Sequence, residues 1–134
     1  MLCQRINEKN KKIFYDPLSI VYHHRRRMMG PHLKQVFNYG LNRGLFVKKF
    51  GGNSLKLTYF VPSLFFLFIV SGITLSFFNQ TTALFFVIFL SLYFIYTSIL
   101  GLKIRSLKEY LYYIFGTFIT QMAYGYGFLK GLLK

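Results

Sequence analysis

Apolar positions fall into zones with different periods along the chain. From Leu33 they recur as Leu33, Val36, Phe37, Leu41 and Leu45, with Gly40 and Gly44 completing the same stripe. Steps of three and four residues predict a helix. Its other face carries Lys34, Gln35, Asn38, Asn42, Arg43, Lys48 and Lys49. An apolar face opposite a basic one predicts an amphipathic helix and linker over 31–56, lying in a membrane interface. Gly30-Pro31 starts it and Gly51-Gly52-Asn53 ends it. Leu57 to Phe78 then runs about 22 residues without charge, enough to cross roughly 30 Å of hydrocarbon. Asn79-Gln80-Thr81-Thr82 predicts a short turn, and Ala83 to Leu102 a second span of equal quality. A third apolar segment, Leu107 to Leu129, is interrupted by Lys108, Glu109, Gln121 and glycines. It is expected to span as well; a re-entrant or surface position is the alternative, and Lys130 and Lys134 speak for that alternative.

The first thirty residues follow neither pattern. Leu2, Cys3 and Ile6 share a helical face that Asn10 stops. Lys11 to Tyr15 and the β-rich Leu18 to His23 predict two short strands, broken by Asp16-Pro17. Pieces of this size cannot bury a core alone. They are expected to dock on something else or to be the tail of a larger domain. The fold class expected is therefore an all-α membrane protein. About three transmembrane helices (57–78, 83–102 and 107–129, within a membrane region 57–134) follow a basic amphipathic interfacial helix. A short α/β remnant occupies 1–30.

Charge sharpens the division between water and lipid. The chain has 134 residues, 17 Lys and Arg against three acids (Glu8, Asp16, Glu109), and a net charge of +14. Hydrophobic residues make up 54% and charged residues only 15%, against about 25% charged in soluble domains. Twelve of the 17 basic residues lie in 1–56, and none lies between Leu57 and Leu102. The positive-inside rule then puts the N-terminal region and the 103–108 loop in the cytoplasm and the 79–82 turn outside, in a multi-pass protein of the cytoplasmic membrane. Residues 1–12 contain no apolar stretch of the signal-peptide kind, so the later spans are expected to direct insertion. The single Cys3 cannot form an internal disulfide.

Candidate chemistry concentrates between His23 and Arg43. His23-His24-Arg25-Arg26-Arg27 fits an anion site for a diphosphate, since Arg donates in bidentate fashion to phosphate oxygens. A juxtamembrane cluster held by anionic lipid, at about 1 kcal/mol per residue, is the simpler explanation from charge alone. Nucleic acid is not expected as a partner, because the basic run leads into an apolar helix and spans. Gln35, Asn38 and Tyr39 share one helix side, suited to a sugar or phosphate or serving only as a polar face. No metal site is expected: adjacent His23 and His24 point to opposite faces of a strand, and there is no paired-histidine or paired-cysteine spacing. No acid has a partner acid, so no catalytic residue is assigned.

Several of these segments resemble one family. Leu2-Cys3-Gln4-Arg5-Ile6, Lys12-Ile13-Phe14-Tyr15-Asp16-Pro17 and Val21-Tyr22-His23-His24-Arg25-Arg26 resemble the end of the catalytic domain in membrane-bound family 2 glycosyltransferases of surface-polysaccharide and cell-envelope synthesis. Lys34-Gln35-Val36-Phe37-Asn38-Tyr39-Gly40 with Arg43 resembles their interfacial helix, and Tyr124-Gly125-Tyr126-Gly127-Phe128-Leu129-Lys130-Gly131 the end of their last membrane segment. The resemblance implies a GT-A nucleotide-sugar domain with an Asp-x-Asp metal site for Mg or Mn and an acidic pair that supplies the base. That pair would precede Leu2, so this chain is expected to be the C-terminal membrane-anchor and acceptor-side fragment, inactive alone and without a cofactor of its own.

Its partners would be membrane lipids, an N-terminal glycosyltransferase half, a nucleotide-sugar, and a lipid-linked or glycan acceptor. The site residues implied for diphosphate or substrate are His23, Arg25, Arg26, Gln35, Asn38, Tyr39 and Arg43. Gln35 to Tyr39 resembles the family's Gln-x-x-Arg-Trp motif, with Asn38 in place of Arg and Tyr39 in place of Trp; Arg43 or the 25–27 cluster would supply the charge. The alternative is a stand-alone small membrane protein that binds anionic lipid or a partner through its basic interfacial helix.

Overall fold

A computed structural model describes residues 6, 9–22, 29–50 and 56–134. Helix α1 spans Gly30–Phe50, a single 3-10 turn covers Leu57–Tyr59, and α2 (Val61–Ser76), α3 (Gln80–Leu100) and α4 (Leu107–Leu133) follow. Among the described residues there is no strand.

The two expected strands are thus a correction. Residues 11–16 and 19–22 are neither helix nor strand, and Phe14, Tyr15, Leu18, Val21 and Tyr22 all stand exposed. β-rich sequence describes a surface that could pair; a ladder also needs a partner edge. Local punctuation does form as expected. Asn10 adopts φ 54° and the Lys11 N–H donates to the Ile6 carbonyl at 3.0 Å, the closure that ends a helix in a left-handed residue. The Asp16 carboxylate accepts from the Leu18 N–H at 2.9 Å, turning the chain at Pro17.

Two helices are long and apolar enough to cross a membrane: Leu57–Ser76 and Gln80–Leu100. They run antiparallel as a hairpin. The Phe65 and Tyr93 rings lie 5.2 Å apart, those of Phe68 and Phe89 4.4 Å apart, and the Phe86 side chain covers Gly72. The hairpin turn is tighter than expected. Asn79 caps α3, its side chain accepting from the N–H groups of Thr81 (2.8 Å) and Thr82 (3.4 Å), so α3 starts at Gln80 and not at Ala83. Most large apolar side chains of the hairpin, including Leu64, Ile73, Phe85, Leu92 and Ile99, are exposed. Apolar surface of this extent needs lipid or another protein against it.

The expected third span, 107–129, forms a continuous helix of 27 residues, α4, but does not reach the apolarity of the other two. It lies across the open end of the hairpin. Its first turns meet the end of α3, where the Tyr110 hydroxyl donates to the Ser98 carbonyl at 3.3 Å and the Tyr110 and Tyr113 rings cover Gly101. Its later turns meet the start of α2, where the Phe60 and Phe128 rings pack at 5.0 Å and Gly125 touches the Pro62 carbonyl.

Helix α1 packs along the last turns of α4 through glycine on both sides. A methyl built on Gly44 would stand 2.8 Å from the Leu132 nitrogen, and one on Gly40 3.0 Å from the Phe128 nitrogen. A methyl on Gly131 would stand 3.1 Å from the Gly44 Cα, and one on Gly127 would strike the Phe37 carbonyl. Both helices therefore present a small-x-x-x-small pair, Gly40/Gly44 and Gly127/Gly131, that lets backbones approach closely. The apolar stripe read on α1 is the face turned to α4, with Gly40 and Gly44 buried and Leu33, Val36, Phe37 and Leu41 half-buried. Phe128, fully buried, sits where α1, α2 and α4 meet.

Candidate functional site: a cationic-aromatic groove at Arg43

The glycine contact fixes which way α1 is rolled. With Gly40 and Gly44 against α4, Tyr39, Asn42, Arg43 and Phe46 fall on the flank beside the start of α2. The 3-10 turn brings Thr58 and Tyr59 to the same place, Pro62 follows on α2, and Tyr124 closes the wall from α4. Together they line an open groove of about 590 Å³.

Arg43 is the charge in this groove. Its guanidinium carbon lies 4.0 Å from the centre of the Tyr59 ring. A cation stacked on an aromatic face is held in orientation while its N–H edges stay free to donate. The Tyr124 hydroxyl is its electrostatic neighbour. One turn earlier, the Gln35 side-chain amide donates to the Tyr39 hydroxyl at 2.7 Å, placing that ring at the rim. The lining thus offers one fixed cation, three phenols, an amide and a threonine, with Phe46 and Pro62 supplying apolar surface. Among the described residues no carboxylate or imidazole lines the groove. The arrangement can bind an anion with an apolar tail and hydrogen-bond a hydroxylated group.

Of the residues expected from sequence, Tyr39 and Arg43 line the groove and Gln35 braces Tyr39. Asn38 is exposed and lies outside the lining. His23, Arg25 and Arg26 lie outside the described residues. Asn42, Phe46, Thr58, Tyr59, Pro62 and Tyr124 line the groove without having been expected as site residues. For Tyr59 the signal was position: an aromatic ring just after Lys56, at the start of a charge-free run, is where interfacial tyrosines concentrate. Among the described residues no three His, Cys, Asp or Glu side chains come together to hold a metal ion.

Comparison of the chain with protein-family models, with curated proteins and with solved structures finds no match.

Proposed function

We propose that the chain is the membrane-anchor and acceptor-side part of a glycosyltransferase that moves sugar from a nucleotide-sugar to a lipid-linked or glycan acceptor. It is seated in the cytoplasmic membrane as a multi-pass protein, with residues 1–56 on the cytoplasmic side. The groove at Arg43 is the observation that carries this reading. A lipid-linked phosphate needs a cation for its oxygens, hydrogen-bonding groups for a sugar and an apolar wall for its chain. Arg43 would take the phosphate in bidentate fashion, Tyr39 and Asn42 the sugar hydroxyls, and Phe46 and Pro62 the first carbons of the lipid. The base and the divalent metal belong, in this reading, to a separate GT-A half. The exposed apolar run from Ile13 to Tyr22 gives independent support. It is a surface that a catalytic domain would cover.

The second reading is a stand-alone membrane protein that binds anionic lipid through α1. The exposed Lys34, Lys48 and Lys49 favour it. Reconstitution separates the two: vesicles holding this chain together with a GT-A half that carries Asp-x-Asp and an acidic pair should transfer sugar, while either part alone does not. No transfer by the combined parts, or turnover by this chain alone, removes the transferase reading.

A further inference from the structure

We infer that the chain crosses the bilayer twice, and that α1 and α4 form a plate lying flat in the anionic headgroup layer at the open end of the α2–α3 hairpin. This inference does not rest on the transferase reading.

The hairpin supplies a ruler. Its open end holds the start of α2 and the end of α3; its closed end is the turn at 77–79. Helix α4 touches the open end twice, at Ser98 and Gly101 through Tyr110 and at Phe60 and Pro62 through Phe128 and Gly125. Between Tyr110 and Phe128 a helix advances about 27 Å, nearly the thickness of the hydrocarbon core. A third span over that length would carry one end of α4 to the closed turn. Instead both ends stay at the same level. In between, the Phe118 ring meets Phe65 at 5.8 Å and Tyr93 at 5.9 Å. Phe65 lies five residues beyond Phe60, so the Phe118 ring reaches roughly 8 Å below the open end at 1.5 Å per residue. That reach matches the depth to which an interfacial helix sinks its apolar side chains, about 5–10 Å. The glycine contact binds α1 to the last turns of α4 and so to the same layer.

The exposed chemistry agrees with this placement. Helix α4 exposes a stripe of Leu111, Phe115, Tyr126 and Leu133, flanked by exposed Lys108, Lys130 and Lys134. From Met29 onward ten Lys and Arg face a single acid, Glu109, and none of them lies in the hairpin between Leu57 and Leu102. All the charge therefore gathers at one end, as an anionic leaflet requires.

The test places single cysteines in a Cys3→Ser background, in vesicles of phosphatidylcholine and phosphatidylglycerol, and labels them with a membrane-impermeant maleimide. Lys134→Cys should label from the same side as Lys12→Cys and opposite to Asn79→Cys. Leu133→Cys repeats the measurement should the first variant fold poorly. Labelling of either from the Asn79 side overturns the two-span topology. Spin labels at Leu111, Phe115, Tyr126 and Leu133 should give a shallow, flat depth profile. A profile that passes through the bilayer centre overturns the plate. Replacing phosphatidylglycerol by phosphatidylcholine should shift the Tyr126 label outward; no shift overturns the anionic contact.

Discussion

The Arg43 guanidinium stacks 4.0 Å from the centre of the Tyr59 ring, tying the middle of α1 to the start of the first apolar helix. Stacks of this kind contribute about 0.5–2 kcal/mol, more as the site loses water. A double-mutant cycle with Arg43→Gln and Tyr59→Leu should give a coupling of about 1 kcal/mol in thermal unfolding of the detergent-solubilised protein. Tyr59→Phe keeps the ring face and should retain the coupling. A coupling near zero would mean that the stack does not position Arg43.

The glycine contact predicts a sharp asymmetry among glycines. A side chain at Gly44 or Gly131 meets backbone, which cannot move aside; one at Gly30 meets nothing within 4 Å. Gly44→Leu and Gly131→Leu should each destabilise by about 1–3 kcal/mol or more, as overpacking does. They should also expose α1 to protease. Gly30→Ala should leave both properties within about 0.5 kcal/mol, the range of a surface change.

The charge-free run was enough to read α2 and α3, and helical spacing enough to read the amphipathic α1. What α1 packs against was also written in the chain, as Gly40-x-x-x-Gly44 and Gly127-x-x-x-Gly131, but spacing alone does not say that two such pairs meet. The expected third span forms one continuous helix but falls short of the apolarity of α2 and α3, for a physical reason. Segment 107–129 has the length of a span, while Tyr110, Tyr113, Thr117 and Gln121 lie half-buried on its inner side, where a helix bridges two others. No strand forms over 11–15 or the described part of 18–23, because propensity cannot supply a partner edge. In the groove, Arg43 and Tyr39 were legible as polar residues on a helix flank; Tyr59 was not, because the roll of α1 decides what stacks on it.

Within the hairpin, the Tyr93 hydroxyl is buried and has no hydrogen-bond partner among the described residues. A polar group in that state costs about 1–3 kcal/mol. Tyr93→Phe keeps the ring contacts with Phe65 and Phe118 and should leave stability unchanged or raise it by about 1 kcal/mol. A loss of that size in an unfolding titration would show that the hydroxyl is satisfied in the membrane.

At the closed end, Asn79 is the side-chain cap of α3. Asn79→Ala should cost about 1 kcal/mol, and Asn79→Asp or Asn79→Ser should recover most of it. Equal stability of Asn79→Ala and wild type in denaturant titration would contradict this role.

The Arg43 groove is proposed to receive a lipid-linked phosphate. The direct measurement is equilibrium binding of a polyprenyl phosphate to the purified chain in nanodiscs of phosphatidylcholine, compared with Arg43→Gln. Saturable binding is predicted, weakened about 10- to 100-fold in the variant, since a hydrogen bond to a charged group contributes about 1.5–3 kcal/mol. Binding of equal strength in Arg43→Gln, or no saturable binding by the wild type, would rule out a phosphate site at Arg43.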